Sequence, residues 1–208
     1  MAEVVLDTSV RGAGLVLLSE GGTVVGLRAV AGGAASLQES LSHLLAAPAH
    51  PVSSVLVACG PGSYIGVRSG LAAGLGFAQG RGIPIHLVGS LRVVAETVDP
   101  VEARALVLRS AGRGGILCQL FAVSDRGWTA EGPSQLLSRD QDIPRSWLDG
   151  SGIVDPDGVM PAGADRRRLL PVRGLDRALA RLAAAAQGPG VPYDQVSADY
   201  AVRVGAER

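Results

Sequence analysis

Residues 52–59, Val-Ser-Ser-Val-Leu-Val-Ala-Cys, form a nearly continuous apolar run that stops at Gly60-Pro61-Gly62-Ser63. A run without polar alternation reads as a strand buried on both faces, as in a parallel arrangement. Beyond the loop lies helical sequence, 66–79, with glycine at 66, 70 and 74 and another just past it at 80. Each glycine inside a helix costs about 1 kcal/mol relative to alanine, so glycines repeated on one face require a compensating close contact. The spacing predicts a second helix packed against them.

Around this unit the pattern is regular. Short apolar runs at 3–6, 14–18 and 23–30, with Ser19-Glu20-Gly21-Gly22 as a hairpin turn, predict a three-stranded antiparallel opening. In 36–47, Leu37, Leu41, Leu44 and Leu45 recur at helical spacing. Ser36 and Glu39 there read as a capping box, with Pro48 and Pro51 as the stop. Gly80-Arg81-Gly82 ends the glycine helix, 83–88 reads as a strand, and 90–98 as a helix capped by Ser90. After Asp99-Pro100 strands recur at 105–108, 116–123 and 127–131. Residues 133–171 read as loops with short elements, 174–187 as an Ala/Leu helix, and a tail follows. Two three-strand openings, each followed by helices, predict a duplicated α/β fold in two lobes, 1–100 and 101–208.

Composition limits the chemistry. The chain has 208 residues, 47% hydrophobic, enough for one large domain or two small lobes. Aromatics make up only 3%, so the core must be built from Ala, Val, Leu and Ile. Acidic and basic residues number 19 each, an electrostatic balance that gives no footprint for binding nucleic acid alone. Every basic residue is Arg, and the absence of Lys excludes Walker-type phosphate loops, Schiff-base enzymes and Ser-Lys hydrolases. No basic leader opens the chain and no apolar run approaches the roughly 18 residues of a membrane span, so a cytoplasmic protein is expected. Cys59 and Cys118 sit in apolar surroundings and read as small buried hydrophobes.

Two loops carry the local signals. Gly60 and Gly62 allow close backbone approach, Pro61 stiffens the turn, and Ser63 reads as a helix cap whose amides favour an anion; the plain alternative is a strand-to-helix joint. A dinucleotide fingerprint does not fit, because the third glycine arrives one residue late at Gly66 and no acid follows about twenty residues on. A nucleophile elbow does not fit either, since Pro61 and Ile65 occupy its glycine positions around Ser63. Asp7-Thr8-Ser9, after the first strand, reads either as a polar turn or as a site facing a hydrated metal or a phosphate. Asp165-Arg166-Arg167-Arg168 lacks interleaved aromatics and reads as a solvated loop.

With these residues in hand, the sequence resembles the TsaB (YeaZ) family of the actin/Hsp70/sugar-kinase superfold. The resemblance rests on Val5-Leu6-Asp7-Thr8-Ser9, on the run from Val55 to Gly70 containing Gly60-Pro61-Gly62-Ser63-Tyr64-Ile65-Gly66-Val67-Arg68, and on Gly82-Ile83-Pro84-Ile85 with Val88-Gly89-Ser90-Leu91. It covers about the first 95 residues and weakens after residue 100.

The resemblance implies a non-catalytic scaffold in tRNA threonylcarbamoyladenosine synthesis. The implied partners are the catalytic paralogue TsaD and the ATPase TsaE, or a second copy in a homodimer, with tRNA met only through the complex. Carried onto this chain, the pairing face is Leu37, Leu41, Leu44 and Leu45 on one helix and Gly66, Val67, Gly70, Leu71 and Gly74 on the other. Asp7, Thr8, Ser9, Gly60, Pro61, Gly62, Ser63 and Arg68 then line a vestigial nucleotide cleft. No cofactor or metal is expected beyond weak nucleotide binding at a complex interface; His43, His50 and His86 do not reproduce the H-x-x-x-H spacing of the catalytic relative. The enzymatic alternative is an actin-like ATPase or phosphotransferase using Asp7-Thr8-Ser9.

Overall fold

The structure is a computed structural model. It describes all residues except 32–33, 47–50, 100–102, 113–114, 126, 139–142, 161–168, 173, 187, 200–201 and 204–208, and also excepts the side chains of 34, 112, 202 and 203. The expected stop at Pro48, His50 and the Asp165–Arg168 loop lie outside the described residues.

The chain divides into two compact units, Met1–Val93 with Asp176–Asp199, and Val94–Leu175 with Tyr200–Arg208. The first is built on a five-stranded sheet in the order β3-β2-β1-β4-β5. Its strands are β1 (Ala2–Asp7), β2 (Ala13–Glu20), β3 (Thr23–Ala31), β4 (Val52–Ala58) and β5 (Ile85–Val88). β1, β2 and β3 pair antiparallel, whereas β4 lies parallel to both β1 and β5. The apolar run at 52–59 therefore occupies an interior parallel strand, and Val55, Leu56, Val57 and Ala58 are all buried. Central strands flanked on both sides bury both faces, which removes the polar alternation.

Helices α1 (Ala34–Leu45) and α2 (Tyr64–Arg81) pack on this sheet, α1 against β3 and β2 and α2 against β4 and β1. α1 starts two residues ahead of the expected capping box. Ala34 and Ala35 are strong helix formers and carry the helix through Ser36, which is thereby not the cap. α2 is bounded as its sequence indicates. Ser63 Oγ accepts the Gly66 N–H, and Gly82 at φ 64° closes the far end in the left-handed region.

Gly66, Gly70 and Gly74 of α2 meet the sheet, not another helix, while Gly80 has open space around it. A Cβ on Gly66 would collide with the Thr8 carbonyl, and one on Gly70 with the Thr8 hydroxyl. At Gly74 it would lie 2.5 Å from Val57 Cγ2 and 3.2 Å from Leu6 Cδ1. This corrects the helix-on-helix expectation: the contact that offsets the poor propensity comes from β1 and β4 of the same unit. Gly76, on the opposite side of α2, has open space around it.

A second correction concerns residues 176–199. Sequence order assigned them to the second lobe, but they pack on the first. α5 (Leu175–Ala185) lies beside the β2–β3 turn, where a Cβ on Gly22 would be 3.6 Å from that of Ala184. The following segment runs along the open edge of β5. There Val191 N–H donates to Ile85 O at 2.8 Å and Asp199 N–H to Cys59 O at 2.7 Å. Tyr193 Oη donates to Ile83 O at 2.7 Å, beside the end of α2.

The second unit also opens on an antiparallel strand pair. β6 (Arg104–Gly112) and β7 (Gly115–Ser124) pair antiparallel, and β10 (Ser151–Val154) adds parallel to β6. The third strand is split into β8 (Gly127–Ala130) and β9 (Gln135–Leu137), both on β7; β11 (Val202–Arg203) extends the sheet from β9. Pro133 has no N–H to donate to the ladder, so the strand breaks there and resumes at Gln135. A short α3 (Ser90–Ala95) precedes this unit, and α4 (Arg145–Leu148) is a single turn. Among the described residues no helix is long and apolar enough to cross a membrane.

Both thiols are free. Burial pushes Cys118 up to about 12, and burial followed by the charge of Asp199 pushes Cys59 up to about 11.

The glycine packing predicts opposite outcomes on one helix. Gly74→Ala should cost about 1–3 kcal/mol through overpacking, while Gly76→Ala should gain about 0.5–1 kcal/mol from propensity alone. Thermal melts of both variants check this, and shifts of the same sign would refute the packing assignment. The Cys118 thiol should stay unreactive toward a disulfide reagent at pH 8 until the chain is unfolded; rapid labelling of it in the native protein would contradict its burial.

Candidate functional site

The end of β1 and the start of α2 are wired together. Asp7, Thr8 and Ser9 are buried. Asp7 Oδ1 accepts the Ser9 N–H at 2.9 Å, forming a closed local turn. Thr8 Oγ1 donates to Gly66 O at 2.7 Å, and Ser63 N–H donates to Ser9 O at 2.7 Å. On the other side of the loop, Gly60 N–H donates to Ser90 Oγ at 3.1 Å while Ser90 N–H returns a bond to Gly60 O at 2.7 Å.

The residues expected in a nucleotide cleft are thus brought together, with one exception, but they serve one another. Gly60 needs its φ of 106° and has the Asp199 carbonyl where a Cβ would stand, and Gly62 presses on Ser9 O in the same manner. Pro61 is buried behind them. The Ser63 hydroxyl and carbonyl accept the Gly66 and Val67 amides, which occupies donors that an anion at this helix start would use. Arg68 is the exception. Its guanidinium turns to the outer side of α2, stacks over the Tyr64 ring with 5.0 Å to the centroid, and donates to Tyr64 Oη.

Between α1 and α2 lies an open apolar groove of about 850 Å³. Leu37, Leu41 and Leu45 contribute from α1, and Ile65, Ala72 and Phe77 are among the contributors from α2. Leu37 and Leu41 are buried in the core beneath and form the floor, whereas Tyr64 is 59% exposed and Ile65 74%. A large β-branched residue held this far into water at the start of a regular helix contributes nothing to the fold at that position.

Of the nine residues expected on a pairing face, only these three leucines reach the groove. Gly66, Val67, Gly70, Leu71 and Gly74 turn inward to the sheet, and Leu44 packs beside Gly26, where a Cβ would come within 2.9 Å of its Cδ2. The outward set was hidden by the phase of α2. Once the glycine stripe is known to face the sheet, Ile65, Ala72 and Gly76 fall on the opposite side by helical spacing. Tyr64, Phe77 and Arg81 border that side, and Arg81 stacks over Phe77 with 4.8 Å to the ring centroid.

No three His, Cys, Asp or Glu side chains converge as a metal site among the described residues. His43 sits on exposed α1 surface near Glu39, at 3.7 Å, and His86 lies half-buried on β5, where burial lowers its pKa. The Ser63 hydroxyl accepts the Gly66 N–H, a helix-cap bond and not one to a histidine base.

Comparison with known proteins agrees with this architecture. The TsaD family, described as tRNA N6-adenosine threonylcarbamoyltransferase, matches residues 22–130, a stretch that includes both groove helices. A solved structure of YeaZ from Pseudomonas aeruginosa superposes with a TM-score of 0.71 at 21% identity, covering 96% of this chain and 99% of that one. A second Pseudomonas aeruginosa protein, described as similar to the peptidase YeaZ, gives 0.73 at 18% identity, covering 96% and 98%. No curated protein matches the sequence. The matched stretch is just over half of the chain, and with the shared fold it shows that this protein belongs to the TsaD family as a YeaZ-like, two-lobed α/β protein of the actin-like class.

Proposed function

We propose that this chain is a scaffold subunit in tRNA threonylcarbamoyladenosine synthesis, docking the catalytic TsaD paralogue in the groove between α1 and α2. Family membership places it in the context of that modification. The observation that carries the scaffold role is the contrast between two faces of α2. The inner face and the loop before it are committed to internal contacts, and the outer face presents Ile65 and Tyr64 to solvent above an apolar floor. Covering such a surface releases roughly 25 cal/mol per Å² of apolar area before the costs of association are subtracted. The ATPase TsaE joins the same complex, and tRNA is met through the assembly, consistent with a chain of zero formal charge.

The phosphotransferase alternative requires Asp7, Thr8 and Ser9 at phosphate with Ser63 at the cleft. The Thr8 and Ser63 hydroxyls are instead bonded to Gly66 O and Gly66 N–H, and Asp7 Oδ1 accepts the Ser9 N–H. No nucleotide chemistry is assigned to the isolated chain.

Ile65→Glu should abolish co-elution with TsaD on size-exclusion chromatography while leaving the melting temperature within about 2 °C of wild type, since exposed substitutions rarely exceed about 0.5 kcal/mol. Unchanged complex formation would remove the groove from the proposal. Gly70→Glu makes a poor test, because it strikes Thr8 inside the fold. Titration of the isolated chain with Mg-ATP should give no heat; micromolar binding would revive the enzymatic reading.

A further inference from the structure

A cavity of about 280 Å³ lies within the second unit, where its sheet is broken. β7 pairs with β9 through Ile116–Cys118 and with β8 through Phe121–Ser124, so Gln119 and Leu120 fall between the two ladders. The loop that crosses the break is pinned to them. Glu131 N–H donates to Leu120 O at 2.9 Å, and Gln119 Nε2 donates to Gly132 O at 2.8 Å. Leu120, Pro133 and Trp147 give the cavity apolar walls, while Arg104, Glu131 and Gln135 give it polar ones.

The ion pair in this wall has bonding capacity left over. Arg104 Nε and Nη2 both donate to Glu131 Oε2, at 3.0 and 2.7 Å, while Nη1 reaches only Ser146 O, at 3.5 Å. Among the described residues no hydrogen bond is made by Glu131 Oε1 or by the Gln135 carboxamide. Both charged side chains are about one-third exposed, where an ion pair adds little to stability. We infer that this cavity binds a small apolar α-amino acid as its zwitterion. The site belongs to the second unit and does not depend on the docking reading above. The ligand's carboxylate meets the open guanidinium edge at Nη1, its ammonium meets Glu131 Oε1, and its side chain lies against Leu120, Pro133 and Trp147. A pair of zero net charge favours a ligand that carries both signs. A lone anion would face Glu131, and a lone cation Arg104, without compensation. The volume falls just under the roughly 300 Å³ at which drug-sized sites begin, which suits a ligand of about nine non-hydrogen atoms.

Calorimetric titration of the full-length chain with L-leucine tests this, beside isocaproate and isoamylamine, which keep its skeleton and lack the ammonium or the carboxylate. L-Leucine should bind with a millimolar or lower Kd, and each analogue at least about tenfold more weakly. Binding should also raise the melting temperature and change the tryptophan emission. Trp147→Phe should remove the emission change, because the other indole, Trp128, is buried with its Nε1 donating to Val98 O at 3.3 Å. Glu131→Gln should weaken L-leucine about tenfold and leave isocaproate no weaker than before, and Arg104→Gln should do the same with isoamylamine in place of isocaproate. The analogue comparison needs no variant, so it decides even where a substitution disturbs the fold. Absence of heat and of any emission change with both L-leucine and L-phenylalanine at about 10 mM would overturn the inference. Equal binding of L-leucine and isocaproate would also overturn it, since that marks a plain anion site. So would L-leucine binding that is unaltered in both charge variants, which places the ligand elsewhere.

Discussion

The seating of α2 on the ends of β1 and β4 is the contact on which the rest of the first unit depends. Three glycines one helical turn apart remove the side chains that would otherwise hold the helix off the sheet, and Thr8, Leu6 and Val57 fill the space. Thr8 acts twice in this contact. Its carbonyl and hydroxyl stand where Cβ atoms at Gly66 and Gly70 would be, and the hydroxyl also donates to Gly66 O at 2.7 Å. A close approach and a buried hydrogen bond are therefore one arrangement, and a larger residue at either glycine disturbs both. The same seating closes the loop from Gly60 to Ser63 over Asp7-Thr8-Ser9. A segment that resembles a phosphate cradle in sequence thereby becomes a strut in the fold.

Strands and their order in the first unit were legible from apolar runs and turn residues, as were the Ser63 cap and the Gly82 stop. The direction of the glycine stripe was not. Glycines spaced by four state that something approaches closely, and both a helix and a sheet satisfy that statement. Only the tertiary arrangement shows that the sheet does. The residues expected on a pairing face divide accordingly: Leu37, Leu41 and Leu45 line the groove, while the α2 residues named with them turn to the sheet. Ile65 carried a usable signal, because a large apolar residue out of phase with a glycine stripe points away from the core the stripe faces.

The second unit was less legible for a physical reason. Its elements after β8 are short, and short elements give few turns of periodicity to read. β9 and β10 have three and four residues and lie in a stretch whose Pro and Gly content reads as loop. α4 has four residues against the twelve of α1. The stretch is held by specific polar bonds. Asp155 accepts the Val159 and Met160 amides at 2.9 and 2.8 Å, and Asp157 accepts Arg109 Nε and Ser110 N–H at 2.8 and 2.7 Å. Loop carboxylates that tie down backbone amides leave no periodic trace in a sequence.

Helix length explains why the interhelical groove belongs to the first unit. A groove between helices needs two long neighbours on one sheet face, and α1 and α2 provide twelve and eighteen residues. The α4 turn is too short to form one wall of such a groove. In the first unit the groove's depth is set from below, since the height of α2 above the sheet follows from the missing side chains at 66, 70 and 74. Adding bulk there would lift Ile65 and Phe77 relative to Leu41, whose height is set independently by the packing of α1 on β3 and β2. The sheet contact and the groove thus share one helix but use opposite faces of it, so inward substitutions alter both, and outward ones alter the groove alone.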